Sequence, residues 1–200
     1  MVEADVWFNA GIIEVRHLKT MGPIPLLWDR WELRTGWTPR RRLEQLLDEA
    51  SPSTRFMFDL KGTDLRLAEA LRAQMAASAP GRRYWVCSRS WDLLEPFRSH
   101  PDVQVAHSVG STAQLRAVRA HLTWETHHAI SIHRRLLTAA VVGSLKELAS
   151  AVITWPVNSW ADFEAVRELG VDGITSDSLD LIRALSERRE PGGTAAAQVS

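Results

Sequence analysis

Residues 55–88 read RFMFDLKGTDLRLAEALRAQMAASAPGRRYWVCS, and the fold class follows from them. Arg55–Leu60 is a short apolar run rich in aromatic residues, which predicts a strand. The amphipathic segment Asp64–Ala77 predicts a helix, and the apolar run Tyr84–Ser88 predicts a second strand. Two strands joined by a helix pair in parallel through a right-handed crossover.

The same strand–helix unit recurs along the chain. The other predicted strands are Val2–Phe8, Val103–His107, Ala129–Ile132, Ala151–Trp155 and Gly173–Thr175. The other predicted helices are Arg41–Glu49, Trp91–Arg98, Thr112–His121, Thr138–Leu148, Trp160–Leu169 and Leu179–Arg188. About seven units predict an α/β protein of the TIM-type (β/α)8 barrel class that is missing its first βα unit, because eight units close such a barrel.

The chain is expected to form one domain. A chain of 200 residues with 45% hydrophobic content can bury a single substantial core. We expect a barrel domain over residues 1–188, incomplete at its N-terminus, followed by a disordered tail over residues 189–200. The first repeat is irregular, since Gly11–His17 predicts a returning strand and Gly22–Thr38 a long, tryptophan-rich connection.

Composition excludes several kinds of partner. Lysine and arginine (24) balance aspartate and glutamate (24), which argues against a nucleic-acid surface. The single cysteine, Cys87, excludes an internal disulfide framework and fits a cytoplasmic location, although a signal upstream of the given start would change this. No apolar run approaches the roughly 18 residues of a transmembrane segment. An open strand edge at Val2–Phe8 makes self-association plausible.

Acidic residues occur at the ends of two predicted strands. Glu3 and Asp5 are two residues apart, so their side chains project to one face of a strand, and Asp59 and Lys61 repeat this spacing. Converging carboxylates repel each other unless a cation compensates, which suggests Mg²⁺ or Ca²⁺ with oxygen ligands. Lys61 would then supply a charge for a phosphate oxygen. The alternative is that all four residues form ordinary ion pairs at exposed strand ends.

His17 ends the run Ile12–His17 just before a loop. A histidine there can act as a general acid or base, because its pKa lies near neutral pH. The alternative is a surface histidine without a catalytic role.

Five segments, in order, resemble the glycerophosphodiester phosphodiesterase family. Residues 3–17, with EADVW and then VRH, resemble the pattern E-x-D-V-x-x-T-x-D-G-x-x-V-x-x-H. Residues 58–61, FDLK, resemble the E-x-K strand, and residues 88–94, SRSWDLL, resemble S-F-x-x-x-x-L. Residues 152–158, VITWPVN, and residues 168–177, ELGVDGITSD, resemble V-x-x-W-T-V-N and L-G-V-D-G-I-x-T-D.

The resemblance implies a metal-dependent enzyme that hydrolyses glycerophosphodiesters to glycerol 3-phosphate and an alcohol. It implies that Glu3, Asp5 and Asp59 bind a divalent metal, Mg²⁺ or Ca²⁺, and that His17 is catalytic. The implied partner is a small molecule, either a glycerophosphodiester or a lysophospholipid.

Two further positions complete the expected site. Lys61 matches the lysine that meets the substrate phosphate. Trp155 is expected at the mouth of the barrel, where its ring would form an apolar wall for a glycerol moiety, or else would only pack the barrel.

The sequence departs from the family pattern at its start. Family members usually begin with a strand ending in H-R-G and a following E-N-T, and neither motif precedes Glu3. Asp59 is also one methylene shorter than the usual glutamate. Two interpretations stay open: an upstream unit carries the missing histidine, or the chain is a catalytically weak or inactive homologue that binds metal or phosphate as a binding or partner protein.

Overall fold

The computed structural model describes residues 1–17, 19–21, 24–29, 32–35, 40–122 and 128–188, with side chains described for 1–17, 40–122 and 128–188. The tail expected at residues 189–200 lies outside the described residues. The strands are β1 Val2–Asn9, β2 Ile12–Val15, β3 Lys19–Met21, β4 Ile24–Asp29, β5 Glu32–Thr35, β6 Arg41–Arg42, β7 Phe56–Leu60, β8 Tyr84–Ser88, β9 Val103–Val109, β10 Ala129–His133, β11 Val152–Trp155 and β12 Gly173–Ile174. The α-helices are α1 Leu43–Glu49, α2 Arg66–Ser78, α3 Thr112–His121, α4 Ala139–Lys146, α5 Trp160–Glu168 and α6 Leu179–Glu187.

Nine strands form one sheet in the order β12-β11-β10-β9-β8-β7-β1-β2-β6. Seven of them, from β12 to β1, pair in parallel, and each sequence-neighbouring pair from β7 to β12 is joined by a helical connection. The expected α/β class with about seven βα units is therefore confirmed. The barrel is not closed within the described residues, because β12 and β6 stand at the two edges of the sheet.

Two details differ from the sequence-based expectations. The segment Trp91–Phe97 is a 3₁₀ helix instead of an α-helix, and it contains Pro96, which removes a backbone donor from a short segment. The predicted connection Gly22–Thr38 is also more regular than expected. It includes β4 and β5, which form a separate antiparallel sheet with β3.

The parallel strands bury both faces of the sheet. On the outer face, a large apolar cluster joins Phe56, Phe58 and Leu60 of β7 to α2 and the 3₁₀ helix. On the inner face, small and medium side chains pack together, namely Met57, Cys87, Ala106, Ala129 and Ile153. Because side chains alternate between the two faces, Asp59 lies on the same face as Met57, at the top of this inner cluster.

No helix among the described residues combines the length and the apolar character needed to span a membrane.

Candidate active site

A cavity of about 200 Å³ opens at the carboxyl ends of the parallel strands. All seven parallel strands or the residues directly after them contribute to its wall: Glu3, Asp5, His17, Met57, Asp59, Lys61, Cys87, Arg89, Ser108, Ser131, Trp155, Pro156, Thr175 and Asp177. Side chains from β1 and from the end of β12 therefore line one space, so the open sheet curls as a barrel does. The carboxyl end of the strands is where barrel enzymes place their catalytic groups.

Three carboxylates meet in this cavity. The register of β1 and β7 places Asp5 opposite Asp59 and Glu3 opposite Met57, with Glu3 and Asp5 on the same face. One ligand oxygen from each of Glu3, Asp5 and Asp59 lies within 4.8 Å of the others. The structure thus brings together the three acidic residues that the sequence analysis grouped.

Burial and mutual repulsion shift the pKa values of two of these carboxylates. Burial raises the pKa of Glu3 to about 8, and the charge of Asp5 adds to the effect, although part of the Glu3 residue is exposed. Burial also raises the pKa of Asp59, against the opposing charge of Lys61. Three converging carboxylates form an oxygen donor set that suits a hard divalent cation such as Mg²⁺ or Ca²⁺.

Lys61 lies against the carboxylates. Its Nζ atom contacts the Asp59 carboxylate and lies 3.0 Å from Oδ1 of Asp5. Burial alone would lower the pKa of Lys61, but the negative charges of Asp59 and Asp5 more than offset this and raise it. Lys61 therefore stays protonated and already offsets part of the negative charge of the cluster.

The β1–β2 hairpin carries His17 to the mouth of the cavity. Its turn uses Ala10 and Gly11, both in the left-handed region of backbone conformation. Trp7 Nε1 donates a hydrogen bond to the Arg16 carbonyl (3.0 Å), and the Arg16 guanidinium lies 4.6 Å from the centre of the Trp7 ring. These contacts fix the backbone of the residue that precedes His17.

Buried Glu14 anchors the same hairpin. Its carboxylate accepts hydrogen bonds from Asn9 (2.8 Å), Arg16 (2.8 Å) and Arg40 (2.7 Å). Burial alone would raise the pKa of Glu14, but these three donors outweigh it and hold the pKa below its usual value. Glu14 therefore remains ionised in its role as a structural anchor.

His17 itself is in contact with the carboxylate cluster. Its Nδ1 atom lies 2.9 Å from Oδ2 of Asp5, while 76% of its side chain is exposed. A largely exposed histidine ring that a carboxylate holds at the mouth of a cavity can exchange a proton with a bound molecule. The structure thus places His17 beside the acidic residues.

Trp155 ends β11 on the opposite side of the cavity. Its half-buried ring packs edge-on against His133, with 4.7 Å between ring centres, and the Arg89 guanidinium lies 5.0 Å from the Trp155 ring centre. The ring lines the cavity, so its position fits both an apolar wall and barrel packing.

Several cavity residues had no predicted role. The clearest examples are Arg89 after β8 and Asp177 after β12, together with Ser108 and Ser131. Arg89, Ser108 and Asp177 lie at or just beyond the carboxyl end of a parallel strand, and Ser131 lies within β10. That position was a usable signal, because these strand ends meet at one rim.

Several solved structures of other proteins are similar to this chain in fold. No protein-family model matches the chain, and no curated protein matches it significantly. Among solved structures, a protein from Silicibacter pomeroyi DSS-3 assigned to the glycerophosphoryl diester phosphodiesterases is 19% identical, with a TM-score of 0.71 over 93% of this chain and 83% of that chain.

Two further structures are similar. An Oleispira antarctica phosphodiesterase in complex with the product sn-glycerol-3-phosphate is 16% identical, with a TM-score of 0.70 over 92% of this chain and 84% of that chain. A glycerophosphodiester phosphodiesterase from Parabacteroides distasonis ATCC 8503 is 20% identical, with a TM-score of 0.63 over 94% and 84%. At these identities the chain shares the fold of these proteins, which confirms the fold that the resemblance implies.

Proposed function

We propose that this protein is a metal-dependent phosphoric diester hydrolase that converts glycerophosphodiesters to glycerol 3-phosphate and an alcohol. The observation that carries the proposal is the convergence of Glu3, Asp5 and Asp59 with His17 at the carboxyl ends of the parallel strands. Such a cluster costs stability unless it binds a cation, so a functional reason for it is favoured over a structural one.

Each residue has a role in this proposal. Glu3, Asp5 and Asp59 would hold the divalent cation, Mg²⁺ or Ca²⁺, which when bound polarises the phosphodiester and offsets charge in the transition state. Lys61 neutralises a phosphate oxygen, and Trp155 offers its ring to the glycerol moiety. His17 transfers a proton, either to the leaving alkoxide or from the attacking hydroxyl or water, while Asp5 orients its ring.

The proposed substrate is a small molecule. A second cavity of about 290 Å³ adjoins the first and shares Asp5, His17, Asp59, Lys61 and Arg89 with it. Two joined cavities suit a phosphodiester, whose two alcohol portions extend on either side of one phosphate. The shared fold with the phosphodiesterase that binds sn-glycerol-3-phosphate supports this substrate class, and a role in phospholipid breakdown would follow.

A second candidate is a protein that binds metal and phosphate without turnover. One observation favours it: His17 is the one histidine among the described residues that line the two cavities. With a single group available for proton transfer, the rate could fall by roughly 10²–10⁴-fold compared with an acid–base pair.

The test is an assay of the purified protein with glycerophosphocholine and Mg²⁺ or Ca²⁺, detecting glycerol 3-phosphate. We expect turnover that chelation abolishes, and a loss of roughly 10²-fold or more in kcat/KM for His17→Ala. Asp59→Asn should weaken metal binding and lower turnover with it. The matched control is Asp102→Asn, because Asp102 lies before β9 at the opposite end of the barrel.

Three results separate the candidates. Metal-dependent turnover that is equal in wild type, His17→Ala and Asp59→Asn contradicts the proposed site. Metal binding by calorimetry without turnover identifies the binding protein. If the protein shows no metal binding and no turnover, both candidates are rejected.

A further inference from the structure

One positively charged side chain of the cavity is used by none of the roles above. Arg89 directly follows β8 and lines both cavities. The other residues that the two cavities share are the carboxylates Asp5 and Asp59 with Lys61 and His17. Any molecule that extends through both cavities therefore passes the Arg89 side chain.

The surroundings of Arg89 hold its side chain over the carboxyl end of β9. Its guanidinium lies 5.0 Å from the centre of the Trp155 ring, a distance typical of cation–π contacts. A Cβ atom at Gly110 would lie 3.2 Å from Arg89 Cζ, so the absence of a side chain at Gly110 gives the guanidinium its space. The Arg89 side chain thus extends from the end of β8, over Gly110 at the end of β9, to Trp155 at the end of β11.

Gln114 of α3 fixes the backbone on both sides of this arrangement. Its Nε2 atom donates to the Arg89 carbonyl (3.3 Å), and its Oε1 atom accepts from the Gly110 amide (2.9 Å). The side chain of Arg89 is exposed, but the backbone that carries it is tied to its neighbour. This reduces the ordering cost of binding a ligand there.

The charge of Arg89 is available to a ligand. Lys61, the other cation that the two cavities share, is in contact with Asp5 and Asp59. Across the part of the chain with described side chains, no carboxylate lies within 4.0 Å of the Arg89 guanidinium. Arg89 is nevertheless near enough to the cluster for its charge to act on Asp59.

We propose that Arg89 binds the phosphate of the substrate and of the phosphomonoester product, in the space between the carboxylate cluster and Trp155. The N–H groups of a guanidinium lie in one plane and point outward, so beside the Trp155 ring two of them can still donate to two oxygens of one phosphate. The inference deepens the proposed function and rests on it for the identity of the substrate, but binding of a phosphate group tests it directly.

The test uses calorimetry of sn-glycerol 3-phosphate, and separately of inorganic phosphate, in the presence of Mg²⁺. We expect Arg89→Met to raise the Kd of both ligands by about 10- to 100-fold, since charge-assisted bidentate contacts are lost. Arg89→Lys keeps the positive charge but loses the paired N–H donors of the guanidinium. Its phosphate affinity should therefore lie between those of Arg89→Met and wild type. Arg83→Met is the matched control, because Arg83 is exposed at the other end of β8.

A third variant moves Arg89 without removing its charge. Gly110→Ala places a methyl group against the guanidinium, which must then shift by a few tenths of an ångström. We expect a smaller loss of phosphate affinity than in Arg89→Met. The Kd of Mg²⁺ measured without phosphate should stay within about twofold of wild type in the control Arg83→Met, and melting temperatures report whether each variant is folded.

The possible outcomes are distinct. Unchanged phosphate affinity in folded Arg89→Met and Arg89→Lys overturns the inference, as does a wild type that binds neither phosphate ligand. Arg89-dependent binding of phosphate by a wild type that does not hydrolyse glycerophosphodiesters supports the inference and rejects the proposed hydrolysis. Turnover with a phosphate affinity that is independent of Arg89 supports the hydrolysis and rejects the role of Arg89.

Discussion

Binding of a divalent cation to Glu3, Asp5 and Asp59 should release a proton. The pKa of Glu3 is raised to about 8, first by burial and then by the charge of Asp5, so without a cation about nine-tenths of the molecules carry a proton on Glu3 at pH 7. A carboxylate must lose its proton to bind a metal ion. At pH 7 each binding event should therefore release about 0.9 proton, and at pH 9 only about 0.1.

The sign of the pH dependence follows from the competition between proton and metal. Below pH 8, each unit of falling pH should weaken cation binding by close to tenfold, or about 1.4 kcal/mol. Above pH 8, Glu3 is mostly ionised, so its titration should no longer change the affinity for the divalent cation. Metal binding should thus be weak at pH 6 and near its maximum by pH 9.

Calorimetric titration with MgCl₂ or CaCl₂ measures both quantities. At pH 7, the observed enthalpy in buffers of different ionisation enthalpy gives the number of protons released. Glu3→Gln removes the titrating group, so its residual binding should release far less than one proton and lose the steep pH dependence, whereas Asp102→Asn should behave as wild type. Equal Kd values at pH 6 and pH 8, without a buffer-dependent enthalpy, would refute this reasoning.

Three further predictions concern stability. Lys61→Met leaves the Asp59 carboxylate without its nearest cation, so the free energy of unfolding measured in chelator should fall by on the order of 2 kcal/mol. Added Ca²⁺ should restore most of the lost stability. An unchanged melting temperature would contradict this prediction. Burial, with help from neighbouring histidines, lowers the pKa of His107 to about 3, so as pH falls below about 6.5 the unfolded state takes up the proton first and stability drops. Between pH 6.5 and pH 5 the loss due to His107 should be about 1.6 kcal/mol by urea unfolding, and folded His107→Phe should lose correspondingly less stability over this range than wild type. Phe58→Ala should cost about 3–5 kcal/mol, because Phe58 is fully buried, whereas exposed Leu65→Ala should stay within about 0.5 kcal/mol.

Much of the parallel sheet could be predicted from local patterns. The run Tyr84–Ser88 and the helix Thr112–His121 have the predicted bounds, and the other strands and helices of the parallel part differ by one or two residues at their ends. Short apolar runs that alternate with amphipathic segments indicate where strands and helices lie. The spacing of apolar residues and the length of each segment can be read from neighbouring residues alone. The exception is Trp91–Phe97, where Pro96 within a short segment favours the tighter 3₁₀ helix.

The acidic site was predictable for a related reason. The i, i+2 spacing of Glu3 and Asp5 sets a shared face within one strand, and Asp59 and His17 stand at the ends of neighbouring predicted strands. Their actual meeting depends on the register of β1 against β7, which pairs Asp5 with Asp59. A shift of one residue would turn Asp59 to the other face and remove it from the cluster.

The sequence by itself was therefore sufficient to predict the order of the strands and helices and the types of side chain at the strand ends. Both can be read from residues that are close together along the chain. The curl of the sheet, the left-handed turn that carries His17 back to Asp5, and the raised pKa of Glu3 needed the tertiary structure. The same is true of Arg89, whose position over Gly110 and against Trp155 joins residues from three strand ends. Contacts of that kind depend on how distant segments pack and exclude water, and no local pattern contains that information.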